Sequence, residues 1–176
     1  MTRPLVVLVD DDPYLRILVA RQLPDVDLVE TCRVMDAVKL AVNGRIYDMT
    51  IEGRTIDAVI LDRRLPDGDG VELLAALRAS PAFCDLPLIL MTASHAETDR
   101  AAVLSAGADE YIDKVLGLQT LSTRLEHLLG MTSGDRAARR SRLAGGEEDE
   151  IETPPPNSLP EPSLRKRRWW HDYRAD

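Results

Sequence analysis

Three consecutive aspartates, Asp10, Asp11 and Asp12, follow the first apolar run of the chain, and Asp62, Thr92 and Lys114 lie at or just beyond later ones. Clustered carboxylates repel, and two charges about 4 Å apart at an effective dielectric near 20 cost roughly 4 kcal/mol. A divalent cation removes that cost. Oxygen donors with no histidine or cysteine among them point to Mg²⁺ or Mn²⁺ rather than zinc. An aspartate beside such a cation can attack phosphorus and form an acyl phosphate, while the cation, a hydroxyl and an ammonium neutralise the equatorial oxygens. Each residue alone is commonplace, so their joint placement has to carry the reading.

That placement follows from the elements. Residues 5–9, 58–61 and 88–91 are continuous apolar runs of strand length, as in strands buried on both faces of a parallel sheet. Helical spacing links Leu15, Leu18, Val19 and Leu23, then Val71, Leu74, Leu77 and Arg78, then Leu118, Leu121, Leu125, Leu128 and Leu129. Weaker strand signals lie at 27–31 and 110–112, and weaker helical ones at 34–42 and 98–105. Five βα units in about 130 residues predict an α/β fold, a doubly wound five-stranded parallel sheet in a three-layer sandwich with right-handed crossovers. Ligands bind such sheets beyond the carboxyl ends of the strands. Asp10–Asp12, Asp62, Thr92 and Lys114 all fall there.

The 176-residue chain carries a formal charge of −8, unevenly placed: residues 1–130 hold 13 basic and 21 acidic side chains, and 131–176 hold 9 and 9. That argues against a generally nucleic-acid-binding surface. Cys32 and Cys84 suggest neither a disulfide framework nor a zinc site. With no signal peptide and no apolar run of membrane-spanning length, a soluble, cytoplasmic protein is expected. Residues 43–55 (NGRIYDMTIEGRT) form an insertion in which Tyr47, Met49 and Ile51 alternate, suggesting a small hairpin that is either a solvated loop or a partner contact.

Two domains are expected, 1–130 and a C-terminal segment, 131–176, that is too short and irregular for a DNA-binding domain. Residues 136–142 can extend the last helix until Gly145-Gly146, and EEDEIE at 147–152 is too charged to pack. Five of the eleven prolines fall in 154–162, and RKRRWWHDYR occupies 165–174. A disordered tail is expected here. Exposed indoles are unfavourable without a partner, so Trp169 and Trp170 are candidate anchors for docking on residues 1–130 of the same chain, a second subunit, a partner protein, a membrane or nucleic acid.

The segments Leu8-Val9-Asp10-Asp11-Asp12-Pro13, Leu61-Asp62-Arg63-Arg64-Leu65-Pro66-Asp67-Gly68-Asp69-Gly70, Met91-Thr92-Ala93 and Tyr111-Ile112-Asp113-Lys114 resemble the response-regulator receiver domain of two-component signalling, over residues 4–130. The resemblance implies a flavodoxin-like (βα)5 fold with Asp62 as phosphoacceptor. It implies that Asp11, Asp62 and the Arg64 main-chain carbonyl hold Mg²⁺, with Asp10 acting through water and Asp12 outside the metal shell. Thr92 and Lys114 would contact the phosphoryl group, and Thr92 and Tyr111 would form the switch. A partner or homodimer contact is implied on the face of the fourth helix, fifth strand and fifth helix. Two departures stand out. Val115 replaces the proline receivers usually have after the lysine, which predicts a trans peptide and a less firmly placed Lys114. Arg64 and Ser94 occupy positions that in the family flank the path of attacking water, where the resemblance leaves the Arg64 guanidinium either shielding the phosphoryl group or pointing to solvent. The long insertion and the missing proline are similar to single-domain regulators paired with bacterial phytochromes.

The implied function is a stand-alone response regulator, not an enzyme beyond self-catalysed phosphotransfer and autodephosphorylation. A sensor histidine kinase or a histidine phosphotransfer protein would be the donor, and a downstream protein the target. The alternatives are a phosphorylation-independent receiver-like adaptor and an aspartyl-phosphate phosphohydrolase with Asp10 as nucleophile, which leaves Asp62 unexplained.

Overall fold

The computed structural model describes residues 2–33, 50–51, 53–93, 96–147 and 168–169, with the backbone alone at 50, 51, 97, 168 and 169. Strand β1 is Leu5–Val9, helix α1 Pro13–Gln22, and β2 Asp27–Thr31. The short strands β3 (Thr50–Ile51) and β4 (Arg54–Thr55) precede β5, Ala58–Asp62. Then come β6 (Arg64–Leu65), β7 (Gly68–Asp69), α2 (Gly70–Ala79), β8 (Leu88–Thr92), α3 (Glu97–Ser105) and β9 (Glu110–Asp113). A 3-10 turn at Leu118–Thr120 leads into α4 (Leu121–Gly130), followed by α5 (Ser133–Ala144) and β10 (Arg168–Trp169).

The main sheet runs β10-β2-β1-β5-β8-β9, every neighbouring pair parallel. Apart from β10 its strands are those expected from the sequence, β1, β5 and β8 from the apolar runs and β2 and β9 from the weaker signals. Alternate side chains feed two cores, as the two-residue period of a strand requires. Val7, Val9, Val59, Leu61, Leu88 and Leu90 pack with Leu73 and Leu74 of α2 and Val103 of α3. Val6, Leu8, Ala58, Ile60, Ile89 and Met91 pack on the other face with Leu15 and Val19 of α1 and Leu121, Leu125 and Leu128 of α4. These are the two faces of a three-layer sandwich. A Leu→Ala change in either core should cost about 2–5 kcal/mol.

Local rules set the starts of the helices that border the site. Asp12 caps α1 by accepting from the N–H groups of Tyr14 (2.8 Å) and Leu15 (3.3 Å), with Pro13 in the first turn where no amide hydrogen is needed. Asp69 caps α2 through the Val71 N–H at 2.8 Å. Gly70 is required there by contact, because a Cβ would lie 2.0 Å from the Asp62 carbonyl oxygen.

Four features sharpen or differ from the sequence expectations. Within the insertion, where a small hairpin is expected, the described residues pair Thr50 with Thr55 and Ile51 with Arg54 about Gly53 (φ +73°), and Tyr47 and Met49 lie outside the described residues. A left-handed residue is what its tight turn needs. Arg54 then ties it to the body, donating to Asp27 at 2.7 Å and to the Arg3 carbonyl at 2.6 Å. Residues 136–142 do not extend the last helix. They belong to a separate helix, α5, capped by Thr132, packed on the same unit as residues 1–130 and ended by Gly145-Gly146. The third difference is β10, a sixth strand on the β2 edge, with Arg168 opposite Val29 and Trp169 opposite Glu30. The fourth is that Lys114 is firmly placed although the described residues contain no cis peptide bond. The helix expected at 34–42, residues 43–49, Ser94, Trp170 and the remainder of the expected disordered tail lie outside the described residues.

Candidate functional site

The carboxyl ends of β1, β5, β8 and β9 deliver Asp10, Asp62, Thr92 and Lys114 to one place. Asp10 is fully buried, Asp62 and Thr92 are buried, and Asp11 is exposed at the rim. One oxygen each from Asp10, Asp11 and Asp62 lies within 4.8 Å of the others. Burial pushes the Asp10 carboxyl above its ordinary range, against the opposing pull of Lys114, and the Asp62 charge adds to the rise. Asp10 Oδ1 accepts the Asp12 N–H at 2.8 Å, which turns the chain from strand into helix.

Lys114 lies between the two buried acids, its Nζ 2.9 Å from Asp10 Oδ2 and 2.8 Å from Asp62 Oδ1. Two backbone devices hold it without a proline. Its N–H donates to the Thr92 carbonyl at 2.8 Å, extending the β8–β9 ladder. Asp113 Oδ1 accepts from the N–H groups of Val115 (2.7 Å) and Leu116 (2.9 Å), folding the loop back on itself. The only signal for this in the sequence is an aspartate two residues before an amide that needs a partner.

A tight oxygen-only cluster with an internal ammonium suits a hard divalent cation. The donors belong to the chemistry that selects Mg²⁺, and the mutual repulsion of three carboxylates supplies a reason to bind it. Among the other expected site residues, Asp12 serves as the α1 cap. The Arg64 side chain is exposed, and Tyr111 is half-buried with its hydroxyl pushed up by burial and then by Asp113 and Asp99.

Two contacts were not foreseen. Arg16, buried on α1, donates to the Asp10 carbonyl at 2.6 Å and lies 3.2 Å from buried Glu30 on β2, bracing the acidic corner from behind. Arg63, directly after Asp62, pairs with Asp99 on α3 at 2.6 Å, and that pairing pushes its guanidinium further up. A helical repeat that places Arg16 among apolar neighbours was a usable signal for the first. The second joins residues from separate βα units, and nothing local announces it.

Residues 6–126 match the family model of the response regulator receiver domain. The chain belongs to the receiver-domain family. It is 37% identical over 123 residues to the transcriptional regulatory protein TcrA of Mycobacterium tuberculosis, covering 70% of this chain and 45% of that protein. It is 42% identical over 84 residues to the KDP operon transcriptional regulatory protein KdpE of Escherichia coli, covering 48% and 36%. The chain thus spans less than half the length of these curated relatives. Among solved structures it is similar to a putative response regulator from Chloroflexus aurantiacus (TM-score 0.63, 24% identity, 73% of this chain and 99% of that one). The receiver domain of the sensor histidine kinase PA1611 from Pseudomonas aeruginosa, solved with magnesium in its active-site cleft, gives a TM-score of 0.60 at 25% identity, covering 73% and 99%. The cyanobacterial phytochrome response regulator RcpA gives 0.56 at 22%, covering 73% and 90%, a likeness of fold alone. Receiver domains are signalling switches that work with histidine kinases, and the acidic corner is typical of their metal site. Among the described residues no helix is long and apolar enough to cross a membrane.

Proposed function

We propose that this receiver accepts a phosphoryl group on Asp62 from a histidine kinase or histidine phosphotransfer protein and passes the signal on by changing protein–protein contacts. The observation that carries the reading is the geometry around one carboxylate. Asp62 sits almost buried at a strand end, 2.8 Å from the Lys114 ammonium and within 4.8 Å of two further carboxylates.

An Asp62 oxygen attacks phosphorus in line, a C–O–P bond forms, and the phosphorus–nitrogen bond of a phosphohistidine breaks, its electron pair leaving with the imidazole. Lys114 transfers its ammonium from the Asp62 carboxylate to a phosphoryl oxygen, and the Thr92 hydroxyl donates to another. Asp11, Asp62 and the Arg64 carbonyl would hold Mg²⁺, with Asp10 acting through water; when bound, the ion neutralises charge on the phosphoryl oxygens. Exposed apolar side chains lie at the rim of the site, where a protein donor has to sit. Tyr14 is 78% exposed, Val115 70% and Leu116 69%, flanking the acidic cleft from α1 and from the loop after Lys114. Exposed apolar side chains grouped around a reactive centre favour a protein surface over water.

Acetyl phosphate with Mg²⁺ tests this without knowledge of the donor. Intact mass spectrometry should show one added phosphoryl group, absent from Asp62→Asn. A correctly folded protein that gains none would favour the adaptor reading.

A further inference from the structure

Asp109 and Glu110 stand side by side where β9 begins, 1% and 5% exposed. Each is held by one arginine from within the family-matched region and one from helix α5, beyond it. Asp109 pairs with Arg78 at 2.7 Å and with Arg140 at 2.6 Å. Glu110 pairs with Arg124 at 2.8 Å and with Arg139 at 2.7 Å. Arg139 is itself 1% exposed and also donates to the Asp109 carbonyl. One turn earlier Arg136 donates to the Asp85 carbonyl at 2.8 Å. Two buried carboxylates therefore present an oxygen each to a helix that answers with adjacent arginines. Charge, more than apolar area, seats α5: besides Arg139, Leu143 is its one buried side chain.

Helix α3 links this seat to the phosphoacceptor. It packs against α5, and through Asp99 it is tied to Arg63, the residue after Asp62. A phosphoryl group on Asp62 would add negative charge at the residue next to Arg63 in the chain, and any draw on that guanidinium would weaken the hold of Asp99 and let α3 shift.

We propose that Asp109, Glu110 and the flank of α3 form a docking surface for an arginine-bearing helix, that α5 is its resident occupant, and that phosphorylation of Asp62 loosens α5 through the Arg63–Asp99 pair. The proposal rests on the reading of Asp62 as phosphoacceptor. Linkage makes it reciprocal: whatever loosens α5 favours the phosphorylated state by the same factor.

Hydrogen–deuterium exchange on the full chain, with and without acetyl phosphate and Mg²⁺, tests it, the phosphorylated fraction being read by intact mass in the same samples. Peptides within 133–144 should exchange roughly fivefold faster or more in the phosphorylated protein, the lower end of a typical coupling between sites. Arg63→Gln should still be phosphorylated but lose that difference. Ala137→Gly/Ala138→Gly, at exposed positions that leave the carboxylates paired, should loosen α5 and raise the phosphorylated fraction at limiting donor. Phosphorylation with unchanged protection of α5 would overturn the inference and leave the phosphoacceptor reading standing. No phosphoryl group on Asp62 would overturn both. An undiminished difference in Arg63→Gln would remove Arg63 and Asp99 as the link.

Discussion

Replacing Lys114 by methionine removes the one ammonium that lies between two buried acids while keeping the length of its stem. The structure brackets the consequence. Deleting one partner of a buried ion pair costs about 3–5 kcal/mol because the remaining charge is left uncompensated. The protein has a cheaper escape, which is to protonate Asp10. From an ordinary value of 3.8, protonation at pH 7 costs at most about 4.4 kcal/mol at 1.36 kcal/mol per unit, and less here because burial already holds the group higher. Lys114→Met should therefore lose about 3–4 kcal/mol of stability at pH 7 in the presence of a chelator, measured by urea unfolding. The sign with pH follows from the same group. A carboxyl whose folded pKa is raised binds its proton more tightly when folded, so its burden on stability grows as pH rises from 3.8 through the folded value. At pH 4.5 the ceiling on the loss falls to about 1 kcal/mol by the same arithmetic. Because Lys114 competes with a cation for the Asp10 and Asp62 oxygens, Mg²⁺ should bind the variant more tightly, about tenfold for each 1.4 kcal/mol of relieved repulsion. A loss under about 1 kcal/mol at pH 7, a loss that does not shrink at pH 4.5, or weaker Mg²⁺ binding would refute this account of the electrostatics.

Other outcomes follow from single contacts. Gly70→Ala puts a methyl group 2.0 Å from the Asp62 carbonyl oxygen, so the loop after β5 has to move, and both melting temperature and phosphorylation rate should fall. On the reading that the exposed Arg64 side chain points to solvent, Arg64→Ala should leave the acyl-phosphate lifetime unchanged; a markedly shorter lifetime would favour the shielding role instead. The protein's two tryptophans are adjacent, Trp169 in β10 and Trp170 after it. Strand addition at the β2 edge should give blue-shifted emission that moves to the red in high salt or in Trp169→Pro, and emission already characteristic of free indole would count against it.

Much of this site was legible because its placement depends on strand ends, and strand ends are marked by where apolar runs stop. The runs at 5–9, 58–61 and 88–91 each end one residue before the one that enters the site, Asp10, Asp62 and Thr92. Asp69 and Gly70 were readable as a helix start for equally local reasons. The features that escaped are held by charge across the chain. Arg139 is among the most buried side chains, yet it lies in a polar, arginine-rich helix whose sequence carries no apolar stripe to announce packing. Arg63 and Asp99 belong to separate βα units, and Arg16 reaches Glu30 from a different strand's neighbourhood. Lys114 was expected to sit loosely without a proline after it, whereas Asp113 does the bracing through two amides, a substitution that only the turn geometry reveals.

The measurement that bears most directly on the central claim is the position of the acyl phosphate. Protein treated with acetyl phosphate and Mg²⁺ is reduced with borohydride, which converts a phosphorylated aspartate to homoserine, and the modified residue is located by peptide sequencing in the mass spectrometer. The account requires the change at Asp62, Mg²⁺-dependent and lost in Asp62→Asn. Modification at Asp10 with Asp62 untouched would contradict it and place the nucleophile, and with it the whole chemistry of the site, on the other buried carboxylate.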